Sequence, residues 1–237
     1  MKILVVDVGG THVKILASGQ KEKREMDSRP TLTAAQMAAG VKKLAAGWPY
    51  DRVSIGYPGP VVNNRPLLEP HNLGKGWVRF DYAKAFGKPV RMLNDAAMQA
   101  LGSYKGERML FLGLGTGLGT AMVADGCVVP LEIGHLLFKG NHTFEDYVGL
   151  RGLQRLGKRK WRKEVTEVAE RLRAALLPDY IVLGGGNAKK LKELPRETER
   201  GDNANAFIGG FRMWEESHHL RDAAVRARTA RNVQSSS

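Results

Sequence analysis

The sequence predicts an α/β protein of two lobes, with its functional site in the cleft between them. Short apolar runs typical of buried strands alternate with amphipathic helical segments along most of the chain. Two glycine-rich hairpins, at 9–11 and 113–120, each follow such a run and open two similar β-rich halves. A third glycine cluster, at 184–187, ends another strand. Three glycine turns at strand ends indicate that a nucleotide or phosphate chain is bound by both lobes.

The first hairpin follows the apolar run 3–6. Asp7 ends this strand, and Gly9, Gly10 and Thr11 form the turn before a return strand at 13–17. Because glycine has no Cβ, the backbone N–H groups of such a turn can close on a phosphate. The Asp7 carboxylate can hold a hydrated Mg²⁺. An ordinary β-hairpin with a Gly-Gly turn is the alternative interpretation.

The second and third glycine clusters repeat this arrangement. The hairpin at 113–120 lies between the apolar runs 109–112 and 121–123. The cluster at 184–187 follows the strand 180–183 and opens a basic stretch that we expect to be helical. The N-terminal end of such a helix would direct partial positive charge toward a phosphate or ribose.

The remaining elements are predicted from periodicity and capping signals. In the first half we expect a short strand near 21–26, a helix at 33–46 capped by Thr33, a strand at 53–56, a helix near 81–87, a strand at 89–93 and a helix from 94 or 95 to 104. In the second half we expect strands at 109–114, 118–124 and 127–130, helices at 145–156 and 160–176, a strand at 180–183 and a last helix near 204–217. The Pro/Gly-rich loop 57–77 is long for a compact domain, and such loops are commonly functional.

These elements divide into an N-terminal lobe at 1–108 and a C-terminal lobe at 109–220, and the last helix can pack back on the N-terminal lobe. Residues 221–237 alternate Arg, Ala and Ser without an apolar stripe, which predicts a disordered basic tail.

The net charge is +13, and it is unevenly distributed. Residues 1–150 carry 18 Lys and Arg against 13 Asp and Glu, whereas residues 151–237 carry 19 against 11. The excess of positive charge concentrates at 151–163 and 221–231. These segments form either a solvated surface or a contact for a polyanion, which would be nucleic acid or a phosphate polymer. The single cysteine, Cys127, excludes an intrachain disulfide and favours the cytoplasm. No apolar stretch approaches a membrane span, so we expect no membrane partner.

Polar residues at element ends are the candidates for chemistry. Asp95, where a strand meets a helix, suits a general base for a hydroxyl that attacks a phosphoryl group, although Asn94 or Asp95 can instead cap the helix. Glu132 and His135 can jointly bind adjacent sugar hydroxyls, and a surface ion pair or a metal half-site is the alternative. Gly59 and Asn72 in the long loop are further candidates for binding, and simple turn chemistry is the alternative explanation for both.

Taken in order, seven segments resemble the ROK family (repressor, ORF, kinase) of sugar kinases, within the actin-like and hexokinase-like ATPase superfamily. They are DVGGTHVK (7–14), IGYPGPV (55–61), HNLGKGW (71–77), LNDA (93–96), GLGTGLGTA (113–121), LEIGH (131–135) and VLGGGN (182–187). The stretch from the second hairpin through LEIGH, FEDYVG (144–149) and Trp161 most resembles the polyphosphate glucokinase branch. The resemblance implies a two-lobed actin-like, ribonuclease H-like ATPase fold with a cleft between the lobes.

The resemblance also implies roles for individual residues. Asp95 would be the base for the sugar 6-hydroxyl, and Asp7 would orient Mg²⁺ through water. The residues that would bind the sugar are Gly59, Asn72, Asn94, Asp95, Glu132 and His135. The residues that would bind phosphates or the nucleotide are Asp7, Gly9, Gly10, Thr11, Lys14, Gly115, Thr116, Gly117, Gly185 and Gly186.

Many relatives carry a cysteine-rich zinc motif after the segment that corresponds to 131–135. Residues 141–145 stand there without a cysteine, so we expect no zinc site. The family's repressors carry a DNA-binding winged helix before the first strand, and this sequence opens directly on that strand.

The sequence thus favours a Mg²⁺-dependent kinase that phosphorylates glucose or a related hexose, with polyphosphate, ATP or both as donor. The resemblance implies a homodimer. A sugar or nucleotide sensor whose catalysis has decayed is the alternative. A nucleic-acid binder rests on charge alone, because no recognition motif is present, and we expect no nucleic-acid partner.

Overall fold

In the computed structural model, which describes residues 1–215, two five-stranded sheets form the framework of the fold. The strands are β1 (Ile3–Val8), β2 (His12–Ala17), β3 (Arg24–Asp27), β4 (Arg52–Tyr57), β5 (Val61–Val62), β6 (Arg65–Pro66), β7 (Val90–Asn94), β8 (Met109–Leu114), β9 (Leu118–Ala124), β10 (Cys127–Leu131), β11 (Leu137–Lys139), β12 (His142–Thr143), β13 (Tyr180–Gly184) and β14 (Thr198–Arg200). The helices are α1 (Ala34–Leu44), α2 (Tyr82–Phe86), α3 (Asp95–Ser103), α4 (Phe144–Val148), α5 (Leu150–Leu176) and α6 (Asn205–Arg212). The tail predicted at 221–237 lies outside the described residues.

The first sheet has the order β3-β2-β1-β4-β7. β1 and β2 form an antiparallel hairpin, whereas β1, β4 and β7 run parallel. The carboxyl ends of these three strands therefore meet at one edge, in the register Asp7–Gly56 and Tyr57–Asn94. This edge carries the polar residues that the sequence singles out in the first half.

Helix α1 covers one face of the first sheet. Its start is confirmed by a capping box, in which Thr33 Oγ1 accepts from Gln36 N and Gln36 Oε1 accepts from Thr33 N. Met37 and Val41 are buried against the strands.

The second sheet has the order β10-β9-β8-β13-β14 and repeats the mixed topology. Helix α5 buries an apolar face against it, with Trp161 fully enclosed and its indole N–H donated to Val148 O at 2.9 Å. α5 is broken at Gly157, where φ is +70°, so the predicted separation of a helix at 160–176 from the one before it is confirmed. The helix predicted at 145–156 is itself divided, because Gly149 has an extended backbone between α4 and α5.

Helices α3 and α6 lie between the two sheets and share one core with both. A Cβ on Gly102 would overlap the Asn205 carbonyl, and a Cβ on Gly209 would overlap the Met98 carbonyl. The two helices therefore touch backbone to backbone. α6 also packs on β1 and β4. The division of the chain into lobes at residue 108 stays a prediction.

The structure also corrects the helix predicted after the third glycine cluster. After Gly186 the chain forms only the short 3₁₀ turn Ala188–Lys190, so no long helix directs its N-terminal end at the cleft. The reason is that Asn187 N donates back to Leu114 O, which binds the segment to the second hairpin. Strands β5, β6, β11, β12 and β14 were not predicted from the sequence. None of the helices described within 1–215 is long and apolar enough to cross a membrane.

We predict that Gly102→Ala lowers the free energy of unfolding by at least about 2 kcal/mol, because the added methyl group forces α3 and α6 apart. Gly40→Ala in α1 is the matched control. The group that its Cβ would meet is the flexible end of Met26, and alanine favours the helix, so its effect is neutral or stabilising. Urea unfolding of both variants checks this, and equal effects would contradict the close packing.

Candidate active site

The start of α3 places Asn94 and Asp95 in different roles. Asn94 is buried, and its Oδ1 accepts from Ala97 N at 2.7 Å, so it caps the helix. Asp95 Oδ1 accepts from Ala96 N at 2.7 Å. Asp95 is surrounded by protein atoms but keeps part of its surface accessible, as at the floor of a crevice.

The two sheets approach this helix start from opposite sides. A Cβ on Gly119 of β9 would lie 2.7 Å from Ala96 Cβ, so the second sheet packs directly beside Asp95. On the other side, a Cβ on Gly56 of β4 would overlap Met98 and lie 3.6 Å from Asp7 Oδ1. The glycines let the first turn of α3 enter between the lobes.

The Asp95 carboxyl is strongly perturbed. Burial and then the charge of Asp7 raise its pKa to about 7; the hydrogen bond from Ala96 N opposes this shift, and the charge of Glu132 adds to it. Burial also raises the pKa of Asp7, while Lys14 and Lys23 lower it. Lys14 stands directly opposite Asp7 in the β1–β2 register. Asp7 and Glu132 come from different sheets, so charges from both lobes converge on Asp95.

The first glycine hairpin is a tight turn with one open side. Gly9 N donates to His12 O at 3.0 Å, and Ser28 N donates to Thr11 O at 2.8 Å. No heavy atom lies within 4 Å of where a Cβ on Gly10 would stand. The turn is thus fixed from behind, and its outer face can be approached by a ligand.

The second hairpin and the third glycine cluster form one unit. Asn187 joins them, because its N–H donates to Leu114 O at 2.9 Å and its Nδ2 to Gly115 O at 3.0 Å. Gly185 has a φ of +80°, and a Cβ there would lie 2.6 Å from Leu114 O, so only glycine fits. Gly115 and Gly186 have open space beside them. Thr116 is exposed, and its carbonyl accepts from Leu150 N at 3.0 Å.

Glu132 and His135 meet across the 3₁₀ turn Ile133–His135, with His135 Nε2 at 3.5 Å from Glu132 Oε2. Burial raises the pKa of Glu132; His135 lowers it, and Glu145 raises it. His135 Nδ1 lies 3.9 Å from Glu145 Oε1. The imidazole therefore stands between two carboxylates.

Glu145 is the site residue that the sequence analysis did not single out. Its side chain is only 22% exposed, and it lies against Gly117, where a Cβ would overlap Glu145 Oε2. Glu145 thus joins the second hairpin to the Glu132–His135 pair. The available signal is its place in the first turn of α4, two residues after the Thr143 cap.

The long loop is anchored, but its candidate residues are not joined to Asp95 by any hydrogen bond found within 1–215. Trp77 is buried, its Nε1 donates to Leu32 O at 3.3 Å, and its ring lies 5.7 Å from that of Tyr57. Gly59 lies beside the Tyr57 ring. Asn72 is exposed in a turn.

The carboxylates of the site determine which metal ion it could hold. Across residues 1–215 there is no group of three or more His, Cys, Asp or Glu side chains placed to hold an ion. Mg²⁺ needs only one or two protein carboxylates when water and phosphate complete its shell. The neighbouring Asp7 and Asp95 carboxylates, which repel each other, fit that requirement.

Comparisons with known proteins agree with this architecture. The model of the ROK family matches residues 3–144. The chain is 27% identical over 206 residues to a polyphosphate glucokinase of Mycobacterium tuberculosis, covering 78% of this chain and 77% of that protein. It is 27% identical over 171 residues to a glucokinase of Pyrobaculum calidifontis, covering 62% and 57%.

Solved structures show the same fold. The inorganic polyphosphate/ATP-glucomannokinase of Arthrobacter sp. strain KM superposes with a TM-score of 0.75 at 23% identity, covering 88% of this chain and 96% of that one. A ROK family glucokinase from Streptomyces griseus, in complex with glucose and AMPPNP, gives a TM-score of 0.69 at 17% identity, covering 89% and 98%.

The fold is therefore the two-lobed actin-like α/β fold of ROK proteins, as the sequence predicts. Because the family model spans more than half of the chain, this protein belongs to the ROK family.

We predict that Asp95→Asn raises the free energy of unfolding at pH 8, with a gain that shrinks toward pH 4. The folded carboxyl, with a pKa of about 7, binds its proton more tightly than an unfolded one with the ordinary value of 3.8. The wild type therefore loses stability as pH rises through this window, and the amide does not. Urea unfolding at several pH values measures the difference.

Asp125→Asn is the matched control, because Asp125 is exposed in the β9–β10 turn at a φ of +51°, which asparagine adopts readily. It controls for the loss of one carboxylate away from the site. A pH-independent effect of Asp95→Asn would contradict the raised pKa of Asp95.

Proposed function

We propose that this protein is a sugar kinase that transfers a phosphoryl group from polyphosphate, ATP or both to the 6-hydroxyl of glucose or a related hexose. One observation carries the proposal: the Asp95 carboxylate stands between two sheets that each bring a glycine hairpin, beside a Glu–His pair suited to sugar hydroxyls. The polyphosphate glucokinase and glucokinase relatives support the same reaction class.

Asp95 is the proposed general base. A base is most effective when its pKa lies near the working pH, and burial together with Asp7 brings the pKa of Asp95 to about 7. Above that pH the carboxylate accepts the proton of the 6-hydroxyl as the oxygen attacks the donor phosphorus. Phosphoryl transfer requires little covalent chemistry from the protein. Positioning of the substrates and charge neutralisation therefore supply most of the rate enhancement.

Groups around Asp95 would bind the other sugar hydroxyls. Asn94 uses its Oδ1 for the cap, which leaves the amide nitrogen to donate. Glu132 and His135 offer an acceptor and a ring nitrogen 3.5 Å apart, and Glu145 adds a second carboxylate beside the ring. Gly59 and Asn72 would complete the sugar site from the long loop.

The donor phosphates are assigned to the two hairpins, through Gly9, Gly10 and Thr11 on one side and Gly115, Thr116 and Gly117 on the other. Lys14 adds a positive charge beside Asp7. Asp7 would hold Mg²⁺ through water, and the ion supplies neutralisation of phosphate charge. Gly185 and Gly186 face the adenosine when ATP is the donor.

A basic segment favours polyphosphate as a donor. Residues 151–163 hold seven Lys or Arg and no acid, and they follow Leu150, whose N–H donates to Thr116 O of the second hairpin. A phosphate chain that extends beyond the hairpin would thus meet positive charge at once. Lys158, Arg159 and Lys163 are exposed, and no ion pair of theirs is found within 1–215.

We further propose that the enzyme acts in the cytoplasm as a homodimer. The single cysteine is consistent with a reducing compartment. The dimer rests on the family alone, and sedimentation or light scattering would test it.

We predict that Asp95→Asn lowers kcat by about 10²–10⁴-fold, because the amide cannot accept the proton of the 6-hydroxyl. Sugar binding should persist, since asparagine keeps the shape and hydrogen-bonding capacity of the side chain. A coupled assay of sugar 6-phosphate formation gives kcat, and calorimetry gives sugar affinity.

Asp125→Asn is the control for the loss of one distant carboxylate. Turnover of Asp95→Asn within tenfold of wild type would remove this residue from the role, and sugar binding by a wild type that never turns over would favour the sensor.

We predict that the triple variant Lys158→Gln, Arg159→Gln and Lys163→Gln lowers kcat/KM for long-chain polyphosphate by about tenfold or more while changing that for ATP less than about threefold. Neutralised phosphates release counterions, so the salt dependence of polyphosphate use should also become shallower.

The control removes three charges elsewhere, with Lys42→Gln, Lys43→Gln and Lys192→Gln, all exposed. If this control matched the triple variant, the effect would reflect net charge alone. An unchanged polyphosphate KM in the triple variant would leave the basic segment as a solvated surface.

A further inference from the structure

A separate cavity lies at the far edge of the first sheet. It encloses about 370 Å³ between the β5–β6 hairpin, the segment before α2 and the first residue of β7. Val90, the first residue of β7, lines the cavity, whereas Asn94, the last residue of β7, lies at the catalytic cleft. The four-residue rise along the strand separates the cavity from the cleft by about 13 Å.

Two guanidinium groups line this cavity. Arg65 and Arg79 are both exposed, and within residues 1–215 neither has a carboxylate at ion-pair distance. The carboxylate in the lining is Asp81, which is already engaged because its Oδ1 accepts from Lys84 N at 3.0 Å as the cap of α2. Both arginines are therefore available to an anion in the cavity, and planar guanidinium groups match phosphate oxygens.

One part of the wall is apolar and aromatic. Phe80 and Tyr82 meet edge to face at 5.0 Å, and Val78 and Val90 continue the apolar surface. Small-molecule sites combine such walls with a few placed polar groups, in cavities of this size. The lining thus suits a compact organic molecule that carries a phosphate.

We propose that this cavity is a second binding site, distinct from the catalytic cleft, for a small organic phosphate. The inference deepens the proposed function, because both products of that reaction with ATP, a hexose 6-phosphate and ADP, belong to this chemical class. Arg65 and Arg79 bind the phosphate, and Phe80 and Tyr82 contact the organic part.

The cavity is also linked to the sugar loop. The Tyr82 hydroxyl donates to Trp77 O at 3.0 Å, and Trp77 packs against Tyr57, beside which Gly59 lies. Asn64, in the cavity wall, pairs with the edge of β7 through Val90 O and Met92 N. A ligand in the cavity would therefore contact residues that are bonded to the long loop and to β7, the two segments that hold proposed sugar-binding residues.

Calorimetric titration of the full chain with glucose 6-phosphate, ADP and orthophosphate in separate experiments tests the site. We expect glucose 6-phosphate or ADP to bind the wild type at two places per chain. In Arg65→Gln/Arg79→Gln one of these should weaken at least about tenfold, because two charge-assisted hydrogen-bond sets are lost. Asp81→Asn, which keeps the cap but removes the negative charge, should tighten the same site. Lys192→Gln/Arg196→Gln, with two exposed charges removed from the C-terminal lobe, should leave both places unchanged.

The outcomes separate this inference from the proposed function. Organic-phosphate binding that is unaffected by Arg65→Gln/Arg79→Gln, or arginine-dependent binding of orthophosphate alone, would overturn the second site. Arginine-dependent binding in a chain without sugar kinase turnover would keep the site and reject the kinase. If both hold, inhibition by glucose 6-phosphate against glucose should be mixed in the wild type and competitive in Arg65→Gln/Arg79→Gln. Identical inhibition patterns would reject the link to the sugar loop.

Discussion

Helix α3 lies between two sheets and touches α6 backbone to backbone, and the arrangement of the site depends on this constraint. Gly102 meets the backbone of α6, while Gly119 on the second sheet and Gly56 on the first leave space for Ala96 and Met98. A larger residue at Gly102 or Gly119 would push its neighbouring element away from the helix, because the atoms it meets there cannot swing aside. Because the helix cannot shift, the residue at its first turn has a fixed position between the two hairpins.

That position determines the electrostatics of Asp95. The carboxylate lies near Asp7 from the first sheet and Glu132 from the second, with little solvent to screen them. The same packing that holds the helix thus raises the pKa of its first residue to about 7. A buried acid with this pKa costs stability near neutral pH, and such a cost is typical of a functional group. The proposed phosphates and Mg²⁺ occupy the region where these charges converge.

The sequence predicted the local elements well, because hairpin turns, the Thr33 cap and strand periodicity are encoded by near neighbours. It did not predict the short turn after Gly186, since that turn is set by the bonds of Asn187 to a hairpin more than seventy residues away. Glu145 was missed for the same reason: only the fold brings it against Gly117 and His135. The cavity at Arg65 and Arg79 has no sequence motif, because it is formed by segments that meet only in three dimensions.

The most direct test of the account is a crystal structure of the protein with glucose, Mg²⁺ and a non-hydrolysable donor analogue. The account predicts the glucose 6-hydroxyl within hydrogen-bonding distance of Asp95, with the terminal phosphate between the backbone of Gly9–Thr11 and that of Gly115–Gly117. Glucose bound with another hydroxyl at Asp95, or a donor phosphate that contacts only one of the two hairpins, would contradict it.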